Sequence, residues 1–132
     1  MRLTNYTDIP TDAVREVVRF VCPPQVTNRH IILHNTARRN ASGNAGGRRI
    51  MAKIPKVDRC PGFGPRGAYL GWPPHTRTEA LILILAHELR HSWQAKVPRG
   101  RRVWGARGQF SERDADAYAI HMLRAWRRRE VA

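Results

Sequence analysis

The sequence predicts an α+β fold: one domain over residues 1–132, with an N-terminal helix, a small three-stranded sheet and two C-terminal helices. Three observations predict this class. Apolar residues recur at helical spacing near the N-terminus, short β-branched runs occupy the middle of the chain, and two long helical patterns follow. A chain of 132 residues can bury a core without needing a disulfide or a metal.

The first helix is predicted over residues 12–21. Its apolar residues at positions 14, 17, 18 and 21 return to one side of a helix. Thr11 or Asp12 is the predicted N-cap, and the prolines at 23–24 end the helix because proline cannot continue it.

Three strands are predicted in the middle of the chain. Residues 29–34 and 49–54 are short and β-branched, and residues 67–72 form a third strand that we expect at the edge of the sheet. Between them, residues 38–47 (RRNASGNAGG) have the composition of a turn or flexible loop, and residues 55–66 that of an irregular Pro/Gly segment.

The second helix is predicted from Thr76 to about Lys96. Thr76 and Glu79 fit a capping box, in which each side chain bonds the other residue's backbone amide. The apolar run 81–85 alone is also compatible with a buried strand, but the cap before it and the amphipathic continuation favour one helix. Ser111 is the predicted cap of a last helix from Glu112 to about residue 129.

The segment HELRH, residues 87–91, lies within the second predicted helix. Residues four apart share a helix face, so His87 and His91 can hold one metal ion, with Glu88 rotated by about 100° toward its water. His30 and His34 have the same spacing on a predicted strand, where roughly 13 Å would separate them.

The last predicted helix supplies carboxylates. Glu112 and Asp116 stand four apart on one face, so Glu112 can be a third ligand while Asp116 accepts a hydrogen bond from the outer nitrogen of a ligand histidine. Asp114 is about 200° around the helix from Glu112, and we expect its removal to leave the metal almost unaffected.

Together, HELRH and the later ERDADAYA resemble the zincin metallopeptidases, and more narrowly the gluzincin branch, whose pattern is HExxH followed by ExxxD on a later helix. The order of elements resembles the minimal gluzincins. The resemblance implies one Zn²⁺ per chain, held by His87, His91 and Glu112, with Glu88 as general base and Asp116 bonded to a ligand histidine.

The activity implied by the resemblance is hydrolysis of peptide bonds by a metal-activated water. A degenerate site that binds zinc without turnover is the alternative. The resemblance also implies that a peptide substrate lies antiparallel along an edge strand, here expected near residues 68–72. Four side chains are candidates for stabilising the oxyanion, with a structural role as the alternative for each: Tyr69, His75, Tyr118 and His121.

The formal net charge is +14, and all but three of the 24 basic residues are arginines. Genomic base composition is one explanation, and contact with phosphates or an acidic partner is the other. The alternative function is therefore a basic module that associates with nucleic acid on a zincin scaffold. Its phosphate-binding face would include Arg38, Arg39, Arg48, Arg49, Arg99, Arg101, Arg102, Arg107 and Arg127 to Arg129.

The sequence offers no signal for export. The N-terminal residues lack an apolar core, and the longest apolar run, residues 80–86, is far too short to span a bilayer. Cys22 and Cys60 favour reduced thiols, although a disulfide between them stays an alternative. We expect a cytoplasmic protein without a membrane partner.

Overall fold

The computed structural model describes residues 1–37, 42–46, 48–56, 71–96 and 111–131. These residues confirm the α+β class, with three helices and a four-stranded sheet. The elements follow the order β1 (Arg2–Asn5), α1 (Thr11–Val21), β2 (His30–Thr36), β3 (Ser42–Gly46), β4 (Arg49–Pro55), α2 (Arg77–Gln94) and α3 (Glu112–Val131).

The described sheet has the strand order β1-β2-β4-β3. β1, β2 and β4 are parallel, and Arg2, His30 and Arg49 are in register across them. β3 runs antiparallel to β4 as an edge strand, with Gly43 opposite Ala52. Parallel neighbours need a crossover, and α1 supplies it between β1 and β2.

Two of these strands were not predicted. Arg2–Asn5 has no apolar run, and Ser42–Gly46 falls in the segment predicted as a loop. Both become strands through pairing with a more apolar neighbour, which overrides their own weak propensity. At Gly43 a side chain is excluded, because an added Cβ would lie 2.6 Å from Cγ2 of Ile84 on α2.

The predicted third strand over residues 67–72 is not supported where it can be checked. Residues 67–70 lie outside the described part of the chain. Gly71 and Trp72 are described, and neither is in a strand. Gly71 has φ +85°, in the left-handed region that glycine adopts without strain. Within the described residues the sheet has four strands, not three, and two of them lie at other places in the sequence than predicted.

The core lies between one face of the sheet and the helices. Alternate strand residues point into it, among them Ile31, Leu33, Ile50, Ala52 and Ile54. The predicted apolar face of α1 is buried, and so is the start of α2 on all sides, from Ala80 to Ala86. We call this side of the sheet the inner face and the opposite side the outer face.

The helix starts agree only in part with the sequence prediction. Thr76 Oγ1 accepts the amide of Glu79 at 3.1 Å as expected, but the Glu79 carboxylate accepts the amide of His75, not that of Thr76. Ser111 Oγ accepts the amide of Asp114 at 3.1 Å, as a cap should. α1 begins at Thr11 behind Pro10, with no side-chain cap.

Candidate metal centre

The last turns of α2 carry both histidines of HELRH on one face. The Nε2 atoms of His87 and His91 lie 3.1 Å apart, and the rings meet edge to face. His87 is only 5% exposed, so its imidazole is buried and depends on protein groups for its hydrogen bonds. The predicted helical placement of this pair is confirmed.

The first residue of α3 completes a cluster with the two histidines. Glu112 Oε1 lies 2.6 Å from Nε2 of His91, and Glu112 Oε2 lies 3.3 Å from Nε2 of His87. One ligand atom from each of the three residues falls within 4.8 Å of the others. Because Ser111 caps α3 immediately before Glu112, the position of this carboxylate follows from the start of the helix.

Asp116, one turn further along α3, meets the other nitrogen of His87. Its Oδ1 lies 3.0 Å from Nδ1 of His87, and its side chain is 5% exposed. A carboxylate at this position accepts a hydrogen bond from Nδ1–H of His87. The unprotonated Nε2 then directs its lone pair toward Glu112. The hydrogen bond between Asp116 and a histidine was predicted, and the structure identifies that histidine as His87.

Gln94 holds His91 in the same way, and sequence reasoning missed it. Its Oε1 accepts from Nδ1 of His91 at 2.8 Å and from the amide of Ser111 at 3.0 Å. Its Nε2 donates to the Ser111 carbonyl at 2.8 Å and to Asp114 at 3.0 Å. Both donors and both acceptor positions are used, so the amide cannot reverse, and the proton of His91 stays on Nδ1.

The buried position of Gln94 three residues after His91 was the available signal. Residues three apart on a helix are neighbours, so an amide at this place is within reach of the histidine. Its other partners, Ser111 and Asp114, come from a second helix and were not visible in the sequence. Gln94 is 0% exposed, which makes its hydrogen bonds necessary for folding as well as for orientation.

Asp114 is linked to His91 through Gln94. It accepts two hydrogen bonds from Arg90, at 2.7 and 3.1 Å, and one from Gln94. Burial alone would raise the pKa of Asp114, but these hydrogen bonds outweigh it and hold the pKa below the usual range. Arg90 in turn lies 3.6 Å over the ring of Trp93. The expectation that Asp114 has no influence on the cluster therefore has to be revised.

The histidines and Glu112 present three lone-pair-bearing atoms to one point. Nδ1 protonation of both histidines, fixed by Asp116 and Gln94, leaves two Nε2 lone pairs facing a carboxylate. Such acceptors repel one another unless a proton or a metal cation lies between them. Tetrahedral zinc with nitrogen or oxygen ligands at about 2.0–2.1 Å would separate its ligands by about 3.3 Å. The separations of 3.1 and 3.3 Å agree with this value, whereas the 2.6 Å between His91 and Glu112 is shorter, so the donor types suit zinc and Glu112 would move back slightly to hold it.

Glu88 follows His87 and lies beside the edge strand. It is 5% exposed, and burial raises its pKa to about 7, with the Glu112 carboxylate acting in the same direction and His91 opposing it. The Cβ that Gly43 lacks would lie 3.2 Å from Cγ of Glu88. Glu88 is thus a buried carboxyl between the cluster and β3, in a position where proton affinity is high.

The other candidate residues have structural partners or stand apart. The hydroxyl of Tyr118 donates to the Val21 carbonyl, and burial raises its pKa to about 12. His75 donates its amide to Glu79, and Tyr69 lies outside the described residues. His121 is exposed on α3. The hydrogen bonds described for Tyr118 and His75 thus lead to Val21 and Glu79, which are not members of the cluster.

The strand histidines form no second cluster within the described residues. Nε2 of His30 lies 2.7 Å from the Thr4 hydroxyl, and His34 stacks on Tyr6 with ring centroids 4.9 Å apart. The same i, i+4 spacing thus gives one cluster on a helix and two separate contacts on a strand, as predicted.

The chain was compared with protein-family models, with curated proteins and with solved structures, and no match was found in any of the three. None of the helices described is both long enough and apolar enough to cross a membrane.

Proposed function

We propose that this protein is a zinc-dependent peptidase, with the metal held by His87, His91 and Glu112. The observation that carries the proposal is the convergence of two histidine Nε2 atoms and one carboxylate, with each histidine's Nδ1 engaged by its own partner. Three protein ligands leave the fourth position of a tetrahedral ion open, as hydrolytic zinc sites require.

When bound, zinc would supply a water of lowered pKa and a Lewis acid for the scissile carbonyl. Glu88 provides the proton transfers. Its carboxylate accepts the proton of the attacking water and then donates it to the leaving nitrogen of the substrate. A buried carboxyl with a raised proton affinity suits both steps better than an exposed one, because it must accept and release the same proton.

Asp116 and Gln94 are positioning residues in this proposal. By accepting the Nδ1 protons they keep both Nε2 lone pairs directed at the ion and resist rotation of the rings. The ligands come from two helices, and the bonds from Gln94 to Ser111 join those helices directly next to Glu112.

A peptide substrate would pair with β3, not with residues 68–72 as expected from the sequence. β3 is an edge strand of the described sheet and passes Glu88 at Gly43. An extended peptide added to this edge would gain main-chain hydrogen bonds and run close to Glu88. Ser42 and Asn44 are the side chains that flank Gly43 on this strand, and neither is bulky.

The test combines metal content with hydrolysis of fluorescein-labelled casein. We expect Glu88→Gln to retain one zinc per chain and lose activity by orders of magnitude, because an amide cannot accept the proton. His91→Ala should lose both zinc and activity. Glu130→Gln, an exposed site on α3, is the matched control and should change neither.

Two outcomes would contradict the proposal. A wild-type protein that binds zinc yet leaves casein and mixed peptide libraries uncut would indicate a degenerate site. A Glu88→Gln variant that loses zinc in proportion to activity would make Glu88 a ligand or a structural residue, and the assignment of roles would be wrong.

A further inference from the structure

The outer face of the sheet carries a set of cations whose positions follow from the strand register. The cations Arg2 and Arg49 are aligned with His30 across three parallel strands, and Lys53 lies further along β4 on the same side as Arg49. The hydrogen-bonding distance between Thr4 and His30 confirms that these alternate residues of β1 and β2 share a face. The parallel arrangement therefore gathers positive charge on one side of the sheet.

These cations have no carboxylate partners among the described residues. Elsewhere in the described chain, Arg19, Arg124 and Arg128 have no such partner either, whereas five other arginines of the helices are paired with acids: Arg15 with Asp12, Arg77 with Asp8, Arg90 with Asp114, Arg127 with Glu79 and Arg129 with Glu16. No such pair involves Arg2, Arg49 or Lys53, all of which are exposed. Clustered cations exposed in this way attract a partner of opposite charge.

An aromatic pair stands on the same face, at the other end of the strands. The ring of Tyr6, just after β1, stacks on His34 at an interplanar angle of 16°. Tyr6 is nevertheless 64% exposed, so the second side of its ring faces solvent. Arg2 and Tyr6 are separated by roughly 13 Å along the strand, which places cations and a stacking surface on one platform.

The apolar residues between them are not part of the core. Ile32 and Met51 are only partly buried, and neither belongs to the described core cluster or to the side chains packed on it. The outer face thus combines cations that have no carboxylate partner among the described residues, a stacked ring pair and partly exposed aliphatic surface. A duplex would engage the cations alone, whereas unstacked bases would also use the ring and the aliphatic side chains.

We infer that the outer face binds single-stranded nucleic acid. Arg2, Arg49 and Lys53 contact phosphates, and a base stacks on the open side of Tyr6. The site is separate from the metal cluster, which lies on the inner side of β3 where Gly43 meets α2. The inference does not depend on peptidase activity. However, β3 borders both sites, so a protein bound to the same single-stranded nucleic acid would be brought close to Glu88.

The test is the fluorescence anisotropy of a labelled oligo-dT about 15 nucleotides long, compared with a duplex of the same length. The variant Arg49→Glu/Lys53→Glu changes the outer face. Its control, Arg15→Glu/Arg19→Glu, makes the same change of net charge at exposed positions on α1. We expect the outer-face variant to weaken oligo-dT binding at least about tenfold more than the control, with a smaller salt dependence between about 50 and 200 mM.

Tyr6→Leu separates stacking from charge. It should weaken oligo-dT binding by about 5- to 100-fold while leaving duplex binding unchanged, since stacking contributes about 1–3 kcal/mol per base. Zinc content and thermal stability of all variants should match wild type, because the altered side chains are exposed and far from the ligands.

Four results would overturn the inference. Equal losses in both charge variants would mean that net charge alone attracts the oligonucleotide. Tighter binding to duplex, unaffected by Tyr6→Leu, would exclude stacking. Competition by poly-glutamate as effective as that by oligo-dT would point to an acidic protein instead. Failure of wild type to bind at low salt would also reject it, without affecting the proposed peptidase.

Discussion

At the interface between α2 and α3, charged and polar side chains near the histidines meet partners of defined geometry, whereas the cations of the outer sheet face meet no described carboxylate. The interface is buried, so an unpartnered group there would lose its hydration without compensation. The outer face is open to water, where a cation needs no partner. One region is therefore organised by folding, and the other is available for a ligand.

The largest loss of zinc affinity is expected when a proposed metal ligand at the interface between α2 and α3 is removed. Glu112→Ala should release zinc, with a loss of affinity greater than the roughly hundredfold that follows removal of an outer hydrogen-bond partner. Two histidines and water form a weak site. Competition with a chelator measures the dissociation constant. Zinc affinity within tenfold of wild type would mean that another group is the third ligand.

The next largest effect should come from the partners of the histidines. Asp116→Ala and Gln94→Met are each expected to weaken zinc about ten- to a hundredfold, because the rings lose their fixed tautomer and orientation. Asp114→Asn should give a smaller loss through Gln94, replacing the expectation of no effect. The same chelator competition ranks the three variants.

A control must show that Gln94→Met weakens zinc binding by misplacing His91, and not only by lowering the stability of the protein. Leu123→Ala removes a fully buried side chain of α3 that makes no hydrogen bond to the cluster, so it should lower stability by about 2–5 kcal/mol and leave zinc affinity unchanged. If Gln94→Met and Leu123→Ala changed zinc affinity equally at matched stability, Gln94 would have a structural role only.

A smaller effect, on stability, is expected at β3, where Gly43 lies against α2. Gly43→Ala places a Cβ 2.6 Å from Ile84 and 3.2 Å from Glu88, so we expect a loss of about 1–3 kcal/mol in unfolding free energy and reduced casein hydrolysis. Gly46→Ala is the control on the same strand, since nothing lies within 4 Å of its Cβ. Urea denaturation compares them, and equal stabilities would contradict the close approach.

The smallest effect concerns acid stability. Burial would raise the pKa of Glu79, but hydrogen bonds from Arg127 and the His75 amide hold it below its ordinary value. A lowered pKa in the folded state stabilises the protein above pH about 4.5, and this contribution disappears as pH falls through the folded value. Wild type should exceed Glu79→Gln in stability at pH 7, with the difference vanishing in acid, whereas Glu130→Gln should match wild type throughout. Urea titrations at several pH values measure it.

The parts of the molecule that the sequence predicted depend on contacts within one helix or on a single cap. His87 and His91 are four residues apart on α2, Ser111 caps α3, and Glu112 and Asp116 share one face. These relations follow from helical geometry alone. These relations could be predicted because both helices are long and begin at recognisable caps.

The parts that were missed depend on neighbours distant in sequence. Ser42–Gly46 has the composition of a loop and becomes a strand only because β4 lies beside it. Arg2–Asn5 likewise depends on β2. The link from Asp114 through Gln94 to His91 requires two helices to be in place. Local pattern carries no information about such pairings.

The two hydrogen bonds between the Gln94 side chain and the Ser111 backbone also bear on how this protein can change. They hold Gln94 and Ser111, the residues on either side of 95–110, together beside His87, His91 and Glu112. These three side chains therefore keep their relative position when the chain between Gln94 and Ser111 changes in length. Lengthening a connection with fixed ends costs little, about 0.6 kcal/mol for each doubling of its length. Insertions here would add surface next to the His87, His91 and Glu112 cluster without disturbing it, and the same protein core would acquire new ligand preferences in this way.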